Sequence, residues 1–353
     1  MTRTPAPATA LVLVLSALCG CAAQRPARMT FPPDELTATA LDRELSAKNE
    51  PELWAIGEAA EAAGDDARAA AAFGRLVDLH PTSSHAGAAR LRAGLALQRS
   101  REFARALERF RAAAAAGGPE ALEAAFGEAE ARYHLGDLAG ARAALDAVAA
   151  RPGLPEAERI RALAQRGVVE LEAGAPGDAE RTLEAAAALA REAGERERLE
   201  PYYPAQAEFH LGELRREAFR AVRLDPAAGD DEALARDLER KAELLLAAQE
   251  RYLAAIRTGD PRWAVAAGLR IGELYEELRA DLLAAPLPPG LDAEAGALYQ
   301  AELSARVKVL AAKAITAWEE TLALAARAGQ RDLRAVPEAE AALERLKALV
   351  AGE

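Results

Sequence analysis

Cysteine is nearly absent from this chain: its 353 residues include two, Cys19 and Cys21, and both lie near the N-terminus. A structural disulfide, a cysteine metal site and thiol catalysis are therefore excluded from the rest of the protein. Histidine is also rare, and none of the four residues shows the i, i+4 pairing of a metalloprotease helix. There is neither a GxSxG elbow nor a P-loop lysine motif. We therefore predict a non-enzymatic protein without a cofactor or a small-molecule substrate.

Aromatic residues make up 5% of the sequence, β-branched residues are sparse, and no run alternates in the manner of a strand. Alanine and leucine dominate instead, which gives nearly every segment a high helix propensity. Proline and glycine fall mostly between the helical stretches. The sequence thus predicts an all-α protein.

Positive charge is in deficit, since the formal net charge is −12 and the isoelectric point is about 5.1. A nucleic-acid partner is not expected, because binding to phosphates requires clustered lysine and arginine side chains. The excess acidic residues are interpreted as solvated helix faces.

The N-terminal residues have the pattern of an export signal. Arg3 precedes an apolar run at residues 10–18, which is shorter than the roughly 20 residues that span a bilayer. The ending Leu18-Cys19-Gly20-Cys21 resembles the lipobox of bacterial lipoproteins, with leucine and a small residue before the cysteine that carries the lipid. This resemblance implies cleavage after residue 20 and acylation of Cys21. The alternative is an ordinary cleaved signal with incidental cysteines.

The residue after Cys21 is alanine rather than aspartate, which by the lipoprotein sorting pattern implies the outer membrane and its periplasmic face. Residues 21–49 are predicted to be a tether, since Pro26, Pro32 and Pro33 oppose helix formation at its start. Its second part is either a helix that caps the next segment or a linker.

Residues 50–83 contain two helical patterns around a Gly-Asp-Asp turn. Gly57 provides a small position in the first helix, and Gly64 ends that helix. Ala69 and Phe73 lie one turn apart on the second helix, which Pro81 ends. This spacing resembles the tetratricopeptide repeat (TPR), a helix-turn-helix unit of about 34 residues, and on its own it also fits other αα repeats such as HEAT.

Related patterns follow along the chain. Residues 50–200 are interpreted as four TPR-like repeats, with Arg101 in place of one turn glycine. Residues 201–330 are interpreted as two enlarged repeats, and residues 331–353 as a C-terminal capping helix. The expected fold is a right-handed αα-solenoid of TPR-like helix pairs, with longer and irregular helices in the C-terminal third.

In TPR proteins, inward-facing positions of the first helix of each repeat hold a peptide. Transferring these positions to this sequence implies the following groove residues: Trp54, Leu91, Leu95, Gln98, Arg99, Phe126, Glu130, Tyr133, His134, Val168, Leu171, Phe209 and Arg216. The alternative is that the aromatic members pack between helices as core. Arg262 and Trp263 follow a turn and lie beside a proline-rich stretch at residues 286–290. The two residues either form an exposed binding edge, or Trp263 packs at the start of its helix.

These features predict a lipid-anchored scaffold that recruits other envelope proteins at the periplasmic face of the outer membrane. Outer-membrane β-barrel assembly and a motility or pilus apparatus are both compatible settings. Other classes of function also remain open: regulation of a peptidoglycan enzyme, and self-association through the long C-terminal helices.

Overall fold

The computed structural model describes residues 33–194, 199–224, 231–285 and 291–351, and in these ranges the regular structure is entirely helical. The described helices are α1 (Pro33–Ser46), α2 (Glu50–Ala63), α3 (Asp66–Leu79), α4 (Ala86–Arg99), α5 (Phe103–Ala116), α6 (Ala121–His134), α7 (Leu138–Ala149), α8 (Glu156–Glu172), α9 (Pro176–Gly194), α10 (Tyr202–Ala221), α11 (Asp231–Thr258), α12 (Pro261–Ala284), α13 (Ala293–Arg327) and α14 (Ala335–Ala351).

The chain divides into two compact units, residues 1–47 and residues 48–353. In the first unit, α1 begins at Pro33, a residue that is tolerated in the first turn of a helix because its missing N–H has no intrahelical partner there. Part of the segment predicted as a tether is therefore helical.

In the second unit, each helix packs on the next one along the chain, so that α2 to α13 form six helical hairpins and α14 follows the last. The first helices of successive hairpins also contact one another, as in α4 with α6, α8 with α10, and α10 with α12. This consecutive packing confirms the predicted all-α solenoid. We call the side formed by the first helices α2, α4, α6, α8, α10 and α12 the first-helix layer.

Most hairpins are held together by the same contact. A large side chain of the second helix lies on a glycine of the first, where a Cβ atom would be 2.5 Å from Phe73 at Gly57 and 2.6 Å from Phe110 at Gly94. The same relation joins three further pairs: Gly167 with Leu183, Gly212 with Tyr252, and Gly272 with Trp318. Because glycine has no Cβ atom, the large side chain packs directly on the backbone of the first helix. The two helices therefore approach closely enough to exclude water.

The turn in the second hairpin departs from those in the first, third and fourth hairpins. Gly64, Gly136 and Gly174 adopt a left-handed conformation after α2, α6 and α8, as does Arg101 after α4, with φ of 61°. Arg101 therefore occupies the turn position that the sequence assigned to it, at a cost of about 1 kcal/mol for a residue with a Cβ.

The last hairpins have long helices, with 28 residues in α11, 24 in α12 and 35 in α13. Longer helices were predicted for the C-terminal third, and these three helices confirm them. Among the described residues, no helix is both long enough and apolar enough to cross a membrane.

Candidate functional site

An open cavity of about 500 Å³ lies on the first-helix layer, where α6, α8 and α10 meet. Glu130, Tyr133 and His134 line it from the last turns of α6, and Gln165 and Val168 line it from the middle of α8. These residues recur at helical spacing, so each helix presents one stripe to the same cavity. We call this cavity the aromatic groove.

The opposite wall comes from the beginnings of two later helices. Tyr202, Tyr203 and Gln206 line the groove from the first turns of α10, and Arg262 lines it from the first turn of α12. Tyr202 and Tyr203 meet edge to face, with ring centroids 5.0 Å apart. Such an arrangement fixes the two rings relative to each other.

Trp263 supports this wall from behind. Asp260 caps α12 by accepting hydrogen bonds from the backbone nitrogens of Arg262 and Trp263, both at 3.0 Å. The indole ring then packs against Phe209 at 5.0 Å and Tyr202 at 5.7 Å. Trp263 is therefore a packing residue that positions the groove, one of the two roles that the sequence left open.

The surroundings of the groove favour the protonated form of its three tyrosine side chains. Burial raises the pKa of Tyr202 and of Tyr203, and burial together with Glu172 raises the pKa of Tyr133. Behind the wall, burial lowers the pKa of His210 to about 4. The phenol groups thus stay available as hydrogen-bond donors.

Several polar atoms of the groove have no hydrogen-bond partner among the described residues. These are the hydroxyl groups of Tyr133, Tyr202 and Tyr203 and the buried Oε1 atom of Gln206. The three hydroxyl groups belong to side chains that line the cavity, so a ligand can pair with them, whereas the Gln206 Oε1 atom is enclosed. The groove is therefore equipped to accept polar groups from another molecule.

The N-terminal part of the first-helix layer is closed by ion pairs. Arg92 of α4 binds Glu58 at 3.0 Å and also Glu61 of α2, and its guanidinium covers the ring of Trp54 at 4.9 Å. Arg99 binds Asp66 at 2.6 Å. The charges here are matched within the chain.

The C-terminal part of the layer is closed in the same way. Arg216 of α10 is buried and binds Glu273 at 2.5 Å and Glu277 of α12. Arg270 binds Glu213 at 3.2 Å. A second cavity of about 500 Å³ is present, but its walls are these paired charges. The aromatic groove lies between the two ion-paired sections.

The predicted groove residues are distributed over the whole layer. Tyr133, together with Glu130, His134 and Val168, lines the aromatic groove. The N-terminal candidates lie elsewhere: Trp54, Leu91, Leu95 and Gln98 are half-buried, and Arg99 is exposed and ion-paired. Leu171 is half-buried and does not line the cavity.

Three other candidates are buried. Phe126 lies under the guanidinium of Arg161, whose Cζ is 3.8 Å from the ring centroid, and Phe209 lies under Trp263. Arg216 is enclosed by its carboxylate partners. Phe126 and Phe209 thus have the core position that was the alternative for the aromatic residues.

Sequence reasoning missed Tyr202, Tyr203 and Gln206, whereas Arg262 belongs to the binding edge that the sequence offered beside Trp263. The sequence pattern predicts a helix over residues 204–223, whereas α10 begins at Tyr202 with Pro204 in its first turn. Proline in the first turn is compatible with a helix, so the Tyr-Tyr-Pro sequence was the available signal. The proposed lipid attachment site Cys21 and the stretch 286–290 lie outside the described residues.

Comparison with known proteins finds helical-repeat structures. A tetratricopeptide repeat protein from Parabacteroides merdae is 13% identical, with a TM-score of 0.39, and the match covers 84% of this chain and 98% of the other. A TPR protein from Bacteroides fragilis is 16% identical over 85% and 99% of the two chains, with a TM-score of 0.29. The anaphase-promoting complex assembly Cut9-Hcn1 matches at 17% identity, 89% and 52% coverage and a TM-score of 0.40.

These TM-scores are low, so the fold assignment rests on the helix packing of this chain itself. No protein-family model matches the sequence, and no curated protein matches it.

Proposed function

We propose that this chain is a non-enzymatic interaction scaffold whose aromatic groove holds a segment of a partner protein. The observation that carries the proposal is the contrast along the first-helix layer. Charges pair within the chain on both sides, whereas the groove between them combines aromatic faces with three phenol hydroxyl groups that have no partner among the described residues. Repeat solenoids expose extended surfaces of this kind for binding.

A polypeptide segment suits the chemistry of the groove. Its backbone carries a donor and an acceptor at every residue, which match the unpaired phenol groups, since a hydroxyl group both donates and accepts. Its side chains would pack on Val168 and on the tyrosine rings, and tyrosine is among the most frequent energetic anchors of protein interfaces. A cavity of about 500 Å³ accommodates a few side chains rather than a folded domain.

The proposal includes a lipid anchor at Cys21 and a location at the periplasmic face of the outer membrane. Its support is the sequence Leu18-Cys19-Gly20-Cys21 after a short apolar run. An anchored scaffold raises the effective concentration of its partners near the membrane, so weak contacts in the groove suffice. Barrel assembly, a motility or pilus apparatus, or control of a peptidoglycan enzyme are possible settings for this activity.

Filling the groove tests the binding site. In a pull-down from detergent-solubilised envelopes, Val168→Trp is expected to retain about tenfold less of a specific partner than the wild type, because the indole occupies the cavity. Leu246→Trp, on an exposed position of α11, is the matched control and should bind like the wild type. If Val168→Trp retains every partner protein in the same amount as Leu246→Trp does, the groove is not the binding site.

Substitution of the two cysteines tests the anchor. Cys21→Ser is expected to move the protein from the membrane fraction to the soluble fraction, whereas Cys19→Ser should leave it membrane-bound and separating with the outer membrane on a density gradient. Equal release of wild type and Cys21→Ser would contradict the anchor. If only Cys19→Ser releases the protein, the lipid is attached to Cys19 instead of Cys21.

A further inference from the structure

The aromatic rings at the groove already bind cations of the chain itself. Arg161 stacks between Phe126 and Tyr203, with its Cζ 3.8 Å and 5.4 Å from their ring centroids. Arg262 lies over Tyr202 at 4.6 Å. The electron-rich ring faces therefore attract positive charge in this site.

The two arginines are held very differently. The Arg161 side chain is 16% exposed and makes two hydrogen bonds to Glu123, at 2.6 Å and 2.9 Å. The Arg262 side chain is 57% exposed, and its ion pair is with Asp260 at 3.5 Å, a residue already engaged in capping α12. Arg161 is thus a fixed part of the wall, whereas Arg262 covers Tyr202 loosely and can be displaced.

Negative charge at the groove exceeds what these arginines neutralise. Glu130 lines the cavity with 42% of its side chain exposed, and its one basic neighbour within 4.0 Å among the described residues is the imidazole of His134, whose Nε2 lies 3.9 Å away. Its charge contributes to the raised pKa of both Tyr202 and Tyr203, which places it near both rings. Glu172 acts on Tyr133 in the same way and has no ion pair in the described part of the chain.

We infer that the aromatic groove receives a lysine or arginine side chain of the partner segment, which stacks on Tyr202 in place of Arg262 and pairs with Glu130. This inference rests on the proposed function, since it specifies which segment the groove holds. The net charge of −12 over the whole chain favours the approach of such a basic partner.

Short peptide pools with acetylated and amidated ends provide the probe. Each pool has random flanking residues and one fixed central residue: lysine, arginine, norleucine or glutamate. Binding to the purified full chain in detergent is followed by ¹⁹F NMR after incorporation of 3-fluorotyrosine, since the sequence contains 6 tyrosines and each can be assigned by a Tyr→Phe variant. The lysine and arginine pools are expected to shift the signals of Tyr133, Tyr202 and Tyr203 at about tenfold lower concentration than the other pools.

Two variants are expected to change this preference in opposite directions. Glu130→Gln should reduce the preference for lysine over norleucine at least threefold, because it removes the counter-ion while keeping the size of the side chain and the stacking on Tyr202. Arg262→Gln should strengthen binding of the lysine pool about threefold or more, because it removes the competing cation from Tyr202. Glu108→Gln, an exposed glutamate on α5, is the matched control and should change nothing.

The outcomes separate the inference from the proposed function. If the pools bind the groove with no preference, or the glutamate pool binds best, the cation site is overturned while peptide binding stands. A lysine preference that Glu130→Gln leaves unchanged also overturns it. If no pool shifts the three groove tyrosines, or if the shifts persist in Val168→Trp, the proposed function fails together with the inference.

Discussion

Trp318→Ala is expected to lower the free energy of unfolding by about 4 kcal/mol, within the usual range for a buried tryptophan. The Trp318 side chain on α13 is 0% exposed and belongs to the largest C-terminal core cluster. Its Nε1 atom donates a hydrogen bond to the carbonyl oxygen of Leu269 at 3.2 Å, so the truncation also leaves that oxygen without this donor. The measurement is urea unfolding followed by far-UV circular dichroism.

The partner of Trp318 provides a sharper form of the same test. A Cβ atom on Gly272 would lie 2.2 Å from Trp318 Nε1, so Gly272→Ala should cost about 2 kcal/mol in the wild type. In the Trp318→Ala background the methyl group enters the vacated space. There Gly272→Ala should be neutral or stabilise the chain by up to about 1 kcal/mol, since alanine favours a helix over glycine.

A change of sign between the two backgrounds is the expected signature of direct contact. Additive losses would show that the α12–α13 packing does not depend on this pair. Trp318→Phe is the conservative comparison: it keeps an aromatic ring against Gly272 and loses the hydrogen bond to Leu269, so it should cost clearly less than Trp318→Ala.

Lys241→Met is expected to cost about 3 kcal/mol of unfolding free energy. The Lys241 side chain on α11 is 1% exposed, and its Nζ atom donates to the carbonyl oxygens of Phe219 and Val222, both at 2.8 Å. These oxygens lie at the C-terminal end of α10, where helix carbonyls lack intrahelical donors. Methionine keeps most of the side-chain volume, so the loss reports on polar partners rather than on a cavity.

The ion pair of Lys241 with Asp281 contributes less to this loss. Asp281 is 45% exposed, so water can replace its partner after the substitution. Phe219 O would retain the weaker bond from Val222 N at 3.3 Å, whereas Val222 O would lose its buried donor. Lys308→Met, at an exposed position of α13, makes the same chemical change and should cost less than about 0.5 kcal/mol. Similar losses for the two variants would contradict a structural role for Lys241.

Much of the repeat architecture could be predicted because local spacing specifies it. The spacing between Gly57 and Phe73 along the sequence predicts that the two helices cross closely at these residues, and the structure places them in contact. The left-handed turn at Arg101 followed from its place in the repeat, although arginine does not favour that conformation. Such features depend on residues within one hairpin and its turn.

The binding surface could be predicted only in part. Trp54, Phe126 and Phe209 share one register on their helices, and periodicity treats them alike. Their exposure depends on side chains from other helices, since Arg161 of α8 covers Phe126 of α6 and Trp263 of α12 covers Phe209 of α10. No local pattern contains these long-range contacts.

The sequence by itself determined that this protein is a series of helical hairpins, because helix propensity and the spacing of small and large residues act within a few turns. Only the tertiary structure decided where the aromatic groove lies on the first-helix layer. The ion pairs of Arg92 and Arg216 join neighbouring hairpins and close both sides of the layer. The groove between them exists because the first turn of α10 brings Tyr202 and Tyr203 opposite Tyr133 of α6, a meeting of residues that are distant in the chain.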